Sequence, residues 1–245
     1  MFRKRQIFLP DEYDQARKVL AGRDVIVLGM NGYSSLKPAM LTRWGVPECA
    51  YEAACSQLLA TVIKKMMDCY TGVDIRVVHG ASDMGVDKAI ITAALHMGRP
   101  QLGFNCPKWM FYVPDNDDFP VYVGESSDAY ADRFIESLDV LIAANGRLQA
   151  FRHDIMAAFE KMKYVIPVNV MGSISTNGGP EAIGVDGHIE DAVTAFESRV
   201  FMVSQQLGYI PKQDAWKNSI DRACNVVEYI CRNMLSPQRA FPLPR

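Results

Sequence analysis

A chain of 245 residues, 49% of them hydrophobic, can bury the core of one large domain, or of one domain with an appendage. Its 26 Lys and Arg against 28 Asp and Glu leave a net charge of -2. That balance lacks the basic excess of a general nucleic-acid binder, so any bound phosphate would be held by local geometry. The six cysteines, Cys49, Cys55, Cys69, Cys106, Cys224 and Cys231, form no CxxC pair, and no His cluster stands at zinc-ligand spacing. They read as reduced core thiols, and neither a metal nor a resident cofactor is expected. The basic start MFRKRQIFLP is followed by too short an apolar stretch for a signal-peptide core, and no window approaches the ~20 apolar residues of a membrane span. A cytoplasmic location without membrane contact is the expectation.

In chain order, residues 11–21 predict a short helix, with Pro10 before it, acids in its first turn and Gly22 after its end. DVIVLG at 24–29 is a continuous apolar run that fits a strand buried on both faces. A polar stretch leads to a long crossover helix over 48–70, where Leu58, Leu59, Val62, Ile63, Met66, Met67 and Tyr70 recur at helical spacing and Gly72 closes the segment. A second strand at 74–79 runs through HGASD into a helix over 85–97, and a third apolar run at 101–104 ends at Asn105. A fourth strand, 120–123, is reached through the turn-rich PDNDD. A helix over 128–138, the run DVLIAANG at 139–146, a helix over 151–163 and a buried strand at 164–170 complete the alternation. The expected class is α/β: a doubly wound, mostly parallel, Rossmann-like sheet with a C-terminal helical hairpin.

After Met171 the composition turns to Gly, Ser and Asn, as in a loop or linker. Beyond it Ile189, Val193, Phe196, Val200, Val203 and Leu207 step by 4, 3, 4, 3, 4, and Trp216, Ile220, Ala223, Val227, Ile230 and Met234 repeat the steps. Residues 186–245 therefore predict a helical hairpin broken at 208–211, appended to a domain over 1–185 with its core at 24–170. A hairpin buries little alone, so docking on the domain or homo-oligomerisation is expected.

In such a sheet, ligands sit beyond the carboxyl ends of the strands, and three segments fall there. GMNGYSS offers Gly29 for close backbone approach and Asn31, Ser34 and Ser35 as hydrogen-bonding groups, or it is an ordinary polar turn. In HGASDMGVDKA, Gly80 and Gly85 permit a tight turn and a helix start whose N–H groups favour an anion. Against this, Asp83 and Asp87 stand at the same end and can satisfy those groups themselves, and His79 is either a ligand contact or a satisfied strand-end histidine. In NGRLQAFRHD, Arg147 and Arg152 can clamp a phosphate and Asn145 can bond a ribose hydroxyl or base edge; Arg133 either points there or faces solvent.

In order, the stretches DVIVLGMNGYSS, HGASDMGVDKAIITAAL and DVLIAANGRLQAFRHDIMAAFEKMKYVIPV resemble the SLOG superfamily, which joins the Rossmann domain of DNA-processing protein A to the Lonely Guy phosphoribohydrolases. The resemblance spans roughly residues 24–170 and implies a nucleotide, a nucleotide-derived signal or nucleic acid at this sheet edge. It selects Gly29, Asn31, Ser34, Gly80, Ala81, Ser82, Gly85, Asp87, Asn145, Gly146 and Arg147. The hydrolases carry PGGxGTxxE, whereas this chain has NGRLQAFRHD, without GG, GT or the glutamate. Asp154 or Asp87 would have to supply the carboxylate. The preferred expectation is binding of a nucleotide or an NAD- or ADP-ribose-derived small molecule. The alternatives are hydrolysis of a nucleoside monophosphate at its glycosidic bond and a scaffold or nucleic-acid-binding role, the near-neutral charge counting against nucleic acid.

Overall fold

The apolar runs become parallel strands of one sheet in the computed structural model, which describes residues 5–35, 48–69, 72–115, 118–144, 153–155, 157–158, 160–161 and 163–167. The strands are β1 (Ile7–Phe8), β2 (Val25–Asn31), β3 (Asp74–His79), β4 (Gln101–Asn105), β5 (Val121–Val123), β6 (Val140–Ala143) and β7 (Tyr164–Pro167). They form a 7-stranded sheet in the order β1-β5-β4-β3-β2-β6-β7, and every pairing is parallel. The fold is therefore the doubly wound, Rossmann-like α/β class that the alternation predicts. Among the described residues no helix is long and apolar enough to cross a membrane.

Strand parity divides the core in two. Successive side chains point to opposite faces, so Ile26, Leu28 and Met30 enter one layer and Val27 the other. The first layer lies under α2 (Glu48–Cys69) and α3 (Gly85–His96), whose Leu59, Val62, Ile63, Met66, Ile90 and Ala94 pack on Ile75, Val77, Val140 and Ile142. The opposite layer is covered by α1 (Tyr13–Arg17) and α4 (Ser127–Ser137), with Phe134, Ile135 and Leu138 against Leu102, Phe104 and Leu141. Helical residues Ile155, Ala157 and Ala158 close the same side beside Val165. Helix α4 starts where Ser126 accepts the Ala129 N–H at 3.2 Å, a side-chain cap on an otherwise free amide.

Three elements depart from the sequence expectation. Residues 11–21 are not one helix: a 3-10 turn at Pro10–Glu12 precedes α1, and another at Lys18–Leu20 follows it. The Glu12 carboxylate accepts the Leu9 N–H at 2.8 Å, and Arg76 from β3 donates to the carbonyls of Val19 and Ala21 at 2.7 and 2.6 Å, which ties both ends to fixed points and leaves one helical turn between them. Strand β1 was not expected, because two residues carry no period; it exists by pairing Ile7 and Phe8 with Val121 and Tyr122. The link from β4 to β5, read from the sequence only as turn-rich, holds a six-residue 3-10 helix, Pro107–Tyr112. The expected C-terminal hairpin at 186–245 lies outside the described residues.

Chain order places the crevice. From β2 the chain winds through β3, β4 and β5 on one side, then returns to lay β6 and β7 on the other. The junction is tied by Asp139, whose carboxylate accepts the Val27 N–H at 3.0 Å while its own N–H donates to Val27 O at 2.9 Å. Burial raises the Asp139 pKa, with the Val27 N–H and the Lys163 charge acting the other way.

Gly29 serves this packing. A Cβ there would stand 2.8 Å from Leu138 Cδ2, 3.0 Å from Phe134 Cζ and 3.1 Å from Val78 Cγ2, so its close backbone approach is to helix α4. Gly29→Ala is expected to cost roughly 1–3 kcal/mol through overpacking, read as a lower urea midpoint with unchanged far-ultraviolet circular dichroism.

Candidate functional site

Because β2 and β6 send their chains in opposite directions, the crevice opens at their carboxyl ends, where Asn31 closes β2 opposite Ala143. Asn31 is only 8% exposed. Its Nδ2 donates to Asp154 Oδ2 at 3.1 Å, while its Oδ1 is buried and meets no donor among the described residues. An amide oxygen left in that state costs about 1–3 kcal/mol. Asp154 lies in the helical turn after β6 and also faces His153, Oδ1 to Nδ1 at 3.5 Å. The hydrogen bond from Asp154 raises the His153 pKa, with the charges of Asp132 and Asp128 on α4 adding to it and partial burial opposing.

The second carboxylate comes from α3. Asp87 Oδ1 accepts the Gly80 N–H at 2.7 Å, and a Cβ on Gly80 would lie 2.6 Å from Asp87 Oδ2, so only glycine lets that carboxylate sit against the end of β3. Burial pushes the Asp87 pKa up to about 7; the Gly80 N–H lowers it and the neighbouring Asp154 charge raises it. The Tyr130 phenol on α4 is pushed up strongly, first by burial and then by the charges of Asp87, Cys106 and Asp154. Gly124 after β5 lets the Tyr130 turn of α4 approach the strand end: a Cβ there would stand 2.9 Å from both Tyr130 N and Cβ. Beside the pair, Asn105 at the end of β4 donates from Nδ2 to Gly80 O at 3.2 Å and accepts the Cys106 N–H at 2.8 Å.

Two carboxylates, a carboxamide oxygen and a phenol thus converge on one edge. Such a set favours ligand groups that donate hydrogen bonds and disfavours a bare phosphate among them. With Asp87 titrating near neutral pH, it also holds one group able to give or take a proton there. Among the described residues no cluster of three or more His, Cys, Asp or Glu could hold a metal.

Several expected contacts take a different place. The start of α3 is not an open anion cradle: Glu52 Oε1 from α2 accepts the Gly85 N–H at 3.1 Å and Tyr33 O accepts the Val86 N–H at 2.9 Å. Gly85 is buried with φ +53, and a Cβ there would collide with the carbonyls of Tyr33 and Ser34; its role is to let the β2 loop lie on the helix. Neither Asp83 nor Asp87 caps the helix, because Met84 stands at the cap position without a side-chain bond.

His79 is fully buried, its Nδ1 accepts the Ala81 N–H at 3.1 Å, and its ring meets Phe119 edge-on at 4.6 Å. Burial holds its pKa down to about 3, with Arg5 contributing in the same direction, so it is a neutral core histidine, and its buried Nε2 meets no hydrogen-bond partner among the described residues. Ala81, also fully buried with φ +56, packs over Gly103. Arg133 donates to Glu136 at 2.7 Å and lies over the Tyr13 ring at 4.4 Å, engaged with α1 rather than with the crevice. Ser34, Ser35 and Ser82 remain half-buried near the strand ends. Asn145, Gly146, Arg147 and Arg152 lie outside the described residues.

Sequence reading missed Asn105, Tyr130 and Gly124. Asn105 ends a strand at the ligand edge, and that position was itself a usable signal. Tyr130 had none, since an aromatic in a helix reads as core.

The Asp87 carboxyl binds its proton more tightly folded than unfolded, where ~3.9 applies. The native state therefore holds the extra proton between about pH 4 and 7, and this group's contribution to stability falls as pH rises through that window. Asp87→Asn keeps an acceptor for Gly80 and removes the charge. It is expected to unfold later than the parent chain at pH 8 by on the order of 1–3 kcal/mol, with the gap shrinking toward pH 4; an equal gap at both pH values in denaturant titrations counts against the assignment.

No protein-family model and no curated protein matches the chain. Among solved structures it is similar to TM1055, a structural-genomics target, with TM-score 0.44 and 18% identity over 60% of this chain and 75% of that one. It is also similar to the molybdenum cofactor binding protein of the phototrophic bacterium Rippkaea orientalis, with TM-score 0.43 and 15% identity over 84% of this chain and 98% of that one.

Proposed function

We propose that the protein binds a nucleotide or nucleotide-derived small molecule, of the nucleoside monophosphate or ADP-ribose kind, at the carboxyl edge of its sheet, as the SLOG resemblance implies. The observation that carries this reading is Asn31. Its buried Oδ1 lacks a donor among the described residues, at the strand end where the winding reverses and beside the carboxylates of Asp154 and Asp87. A ribose has what that arrangement lacks: vicinal hydroxyls that donate to carboxylate and amide oxygens. The phosphate then belongs away from the acids, in the role that the sequence gives to Arg147 and Arg152. Ser34, Ser35 and Ser82 supply hydroxyls along the rim.

The test is thermal unfolding of the full chain with AMP, ADP-ribose, NAD or a cyclic dinucleotide at millimolar concentration. At least one is expected to raise the melting temperature, a ligand at 100 times its Kd adding about 2.7 kcal/mol. Asn31→Ala is expected to weaken that ligand about tenfold or more. Unchanged melting with all four overturns the reading.

One observation favours a second reading, hydrolysis of the N-glycosidic bond of a nucleoside monophosphate. Asp87, titrating at about 7, stands beside Asp154, and a proton donor paired with a carboxylate suits a reaction through a positively charged sugar centre. In it Asp154 faces C1′ as the C1′–N bond breaks, Asp87 gives its proton to the departing base, and water adds hydroxide to C1′ and returns a proton to Asp87. Release of free base from AMP is expected to be lost in Asp154→Ala and to decline as pH rises through about 7. Binding without base release leaves the chain a binding protein.

A further inference from the structure

The most exposed large hydrophobic side chain among the described residues is Phe111, at 71%, and it lies at the ligand edge of the sheet. It belongs to the 3-10 helix Pro107–Tyr112 that starts directly after β4. In a 3-10 helix, residues i and i+3 eclipse one another, which sorts this segment into two faces. Met110 and Val113 share the inner face and pack on the cluster of Ala81, Ile91 and Phe119. Trp109 and Tyr112 share an outer one, ring centroids 6.1 Å apart and 28° from parallel, and Phe111 lies against Tyr112 at 3.9 Å and 6.5 Å from Trp109. Three aromatic rings therefore form a ledge that none of the three shares with the core.

The ledge is fixed in place. Tyr112 O accepts the Asp83 N–H at 2.8 Å, which fastens the turn to the loop between β3 and α3. At the other end the Trp109 N–H bonds to Cys106 O at 3.0 Å, Cys106 N–H to Asn105 Oδ1 at 2.8 Å, and Asn105 Nδ2 to Gly80 O at 3.2 Å. The same Gly80 holds Asp87. A rigid chain of hydrogen bonds thus joins the rings to the carboxylate pair.

We infer that the Trp109, Phe111 and Tyr112 ledge stacks the planar base of the bound nucleotide, making it the base subsite of the pocket at Asn31, Asp87 and Asp154. This rests on the nucleotide reading above. The strand order β2-β3-β4 lays the subsites in a row: Asn31 ends β2, Gly80 with Asp87 follows β3, and the ledge follows β4. Adjacent strands lie ~4.8 Å apart, so the row spans about 10 Å, comparable with the sugar and base of a nucleoside. Aromatic faces accept every base, and a bicyclic purine covers more of the ledge than a pyrimidine. Lys108, with Nζ 4.7 Å from the Trp109 ring centre, adds a cation on the same turn.

Titration calorimetry of the full chain with AMP and with ribose 5-phosphate separates the ledge from the sugar-phosphate site. AMP is expected to bind at least about tenfold tighter than ribose 5-phosphate. In Phe111→Ala and in Trp109→Ala that preference should shrink to within about twofold, with ribose 5-phosphate affinity unchanged, and Phe111→Tyr should restore it. Equal affinity of the two probes in the parent chain, or a preference that survives both alanine variants, overturns the base subsite while leaving the sugar-phosphate reading intact. If neither probe binds, the base subsite falls, while the nucleotide reading stands or falls by the melting test with all four ligands. A change in sedimentation of Phe111→Ala with the preference intact would make the ledge a contact between copies of the chain instead.

Discussion

Strand β2 carries parallel ladders on both edges, to β3 through residues Val25 to Gly29 and to β6 through Leu28 to Asn31. A strand paired on both sides and covered on both faces leaves only its ends for function. The crossovers leaving toward β3 and arriving at β6 run on opposite faces, which opens a crevice at the carboxyl end of β2. Asp139 fixes the β2 to β6 register from below by exchanging hydrogen bonds with Val27. A slip of one residue there would turn Met30 and Ile142 out of their layer and lift Asn31 from its place beside Asp154.

Glycine-rich strand ends suggest phosphate cradles, and here most of these glycines answer a packing demand. Gly29 admits Leu138 and Phe134, Gly103 admits Ala81 and Phe119, and Gly124 admits Tyr130. Gly80 differs, since the group it admits is a carboxylate, Asp87, that the site uses. The N–H groups at the start of α3, the obvious anion acceptor, are taken up by Glu52 and the Tyr33 carbonyl. Close packing and internal capping therefore remove from the middle of the edge the features that would bind phosphate, and the chemistry left there is that of acceptors.

The carboxylates shape what the edge can hold. Asp87 is buried beside a second acid, so a neutral Asp87 or a donor from an occupant relieves the same strain. On the proposed reading, ligand hydroxyls satisfy the acids and the Asn31 amide together. The aromatic rings beyond β4 sit on a turn fastened to the same Gly80, so the polar and flat parts of the edge are one rigid arrangement.

From the residues alone, the parallel sheet and six of its seven strands were legible. Uninterrupted runs such as Val25–Leu28 and Val140–Ile142 fit strands buried on both faces, and their alternation with helical periods leaves little other topology. Strand β1 was invisible, since it is a strand only by virtue of β5. Of the candidate site residues, Asn31 and Asp154 are joined by a hydrogen bond and Gly80 and Asp87 by another, whereas His79, Ala81, Gly85 and Arg133, named from the same strand ends, take up packing positions. Their separation depends on burial and on partners distant in sequence, such as Phe119 for His79, the Tyr33 carbonyl for Gly85 and Tyr13 for Arg133. Local pattern determines which face a residue takes and which strand end it reaches. Only the tertiary structure decides whether a polar side chain there is taken up within the fold, as Arg133 is by Glu136 and Tyr13, or keeps a buried atom without a partner among the described residues, as Asn31 does.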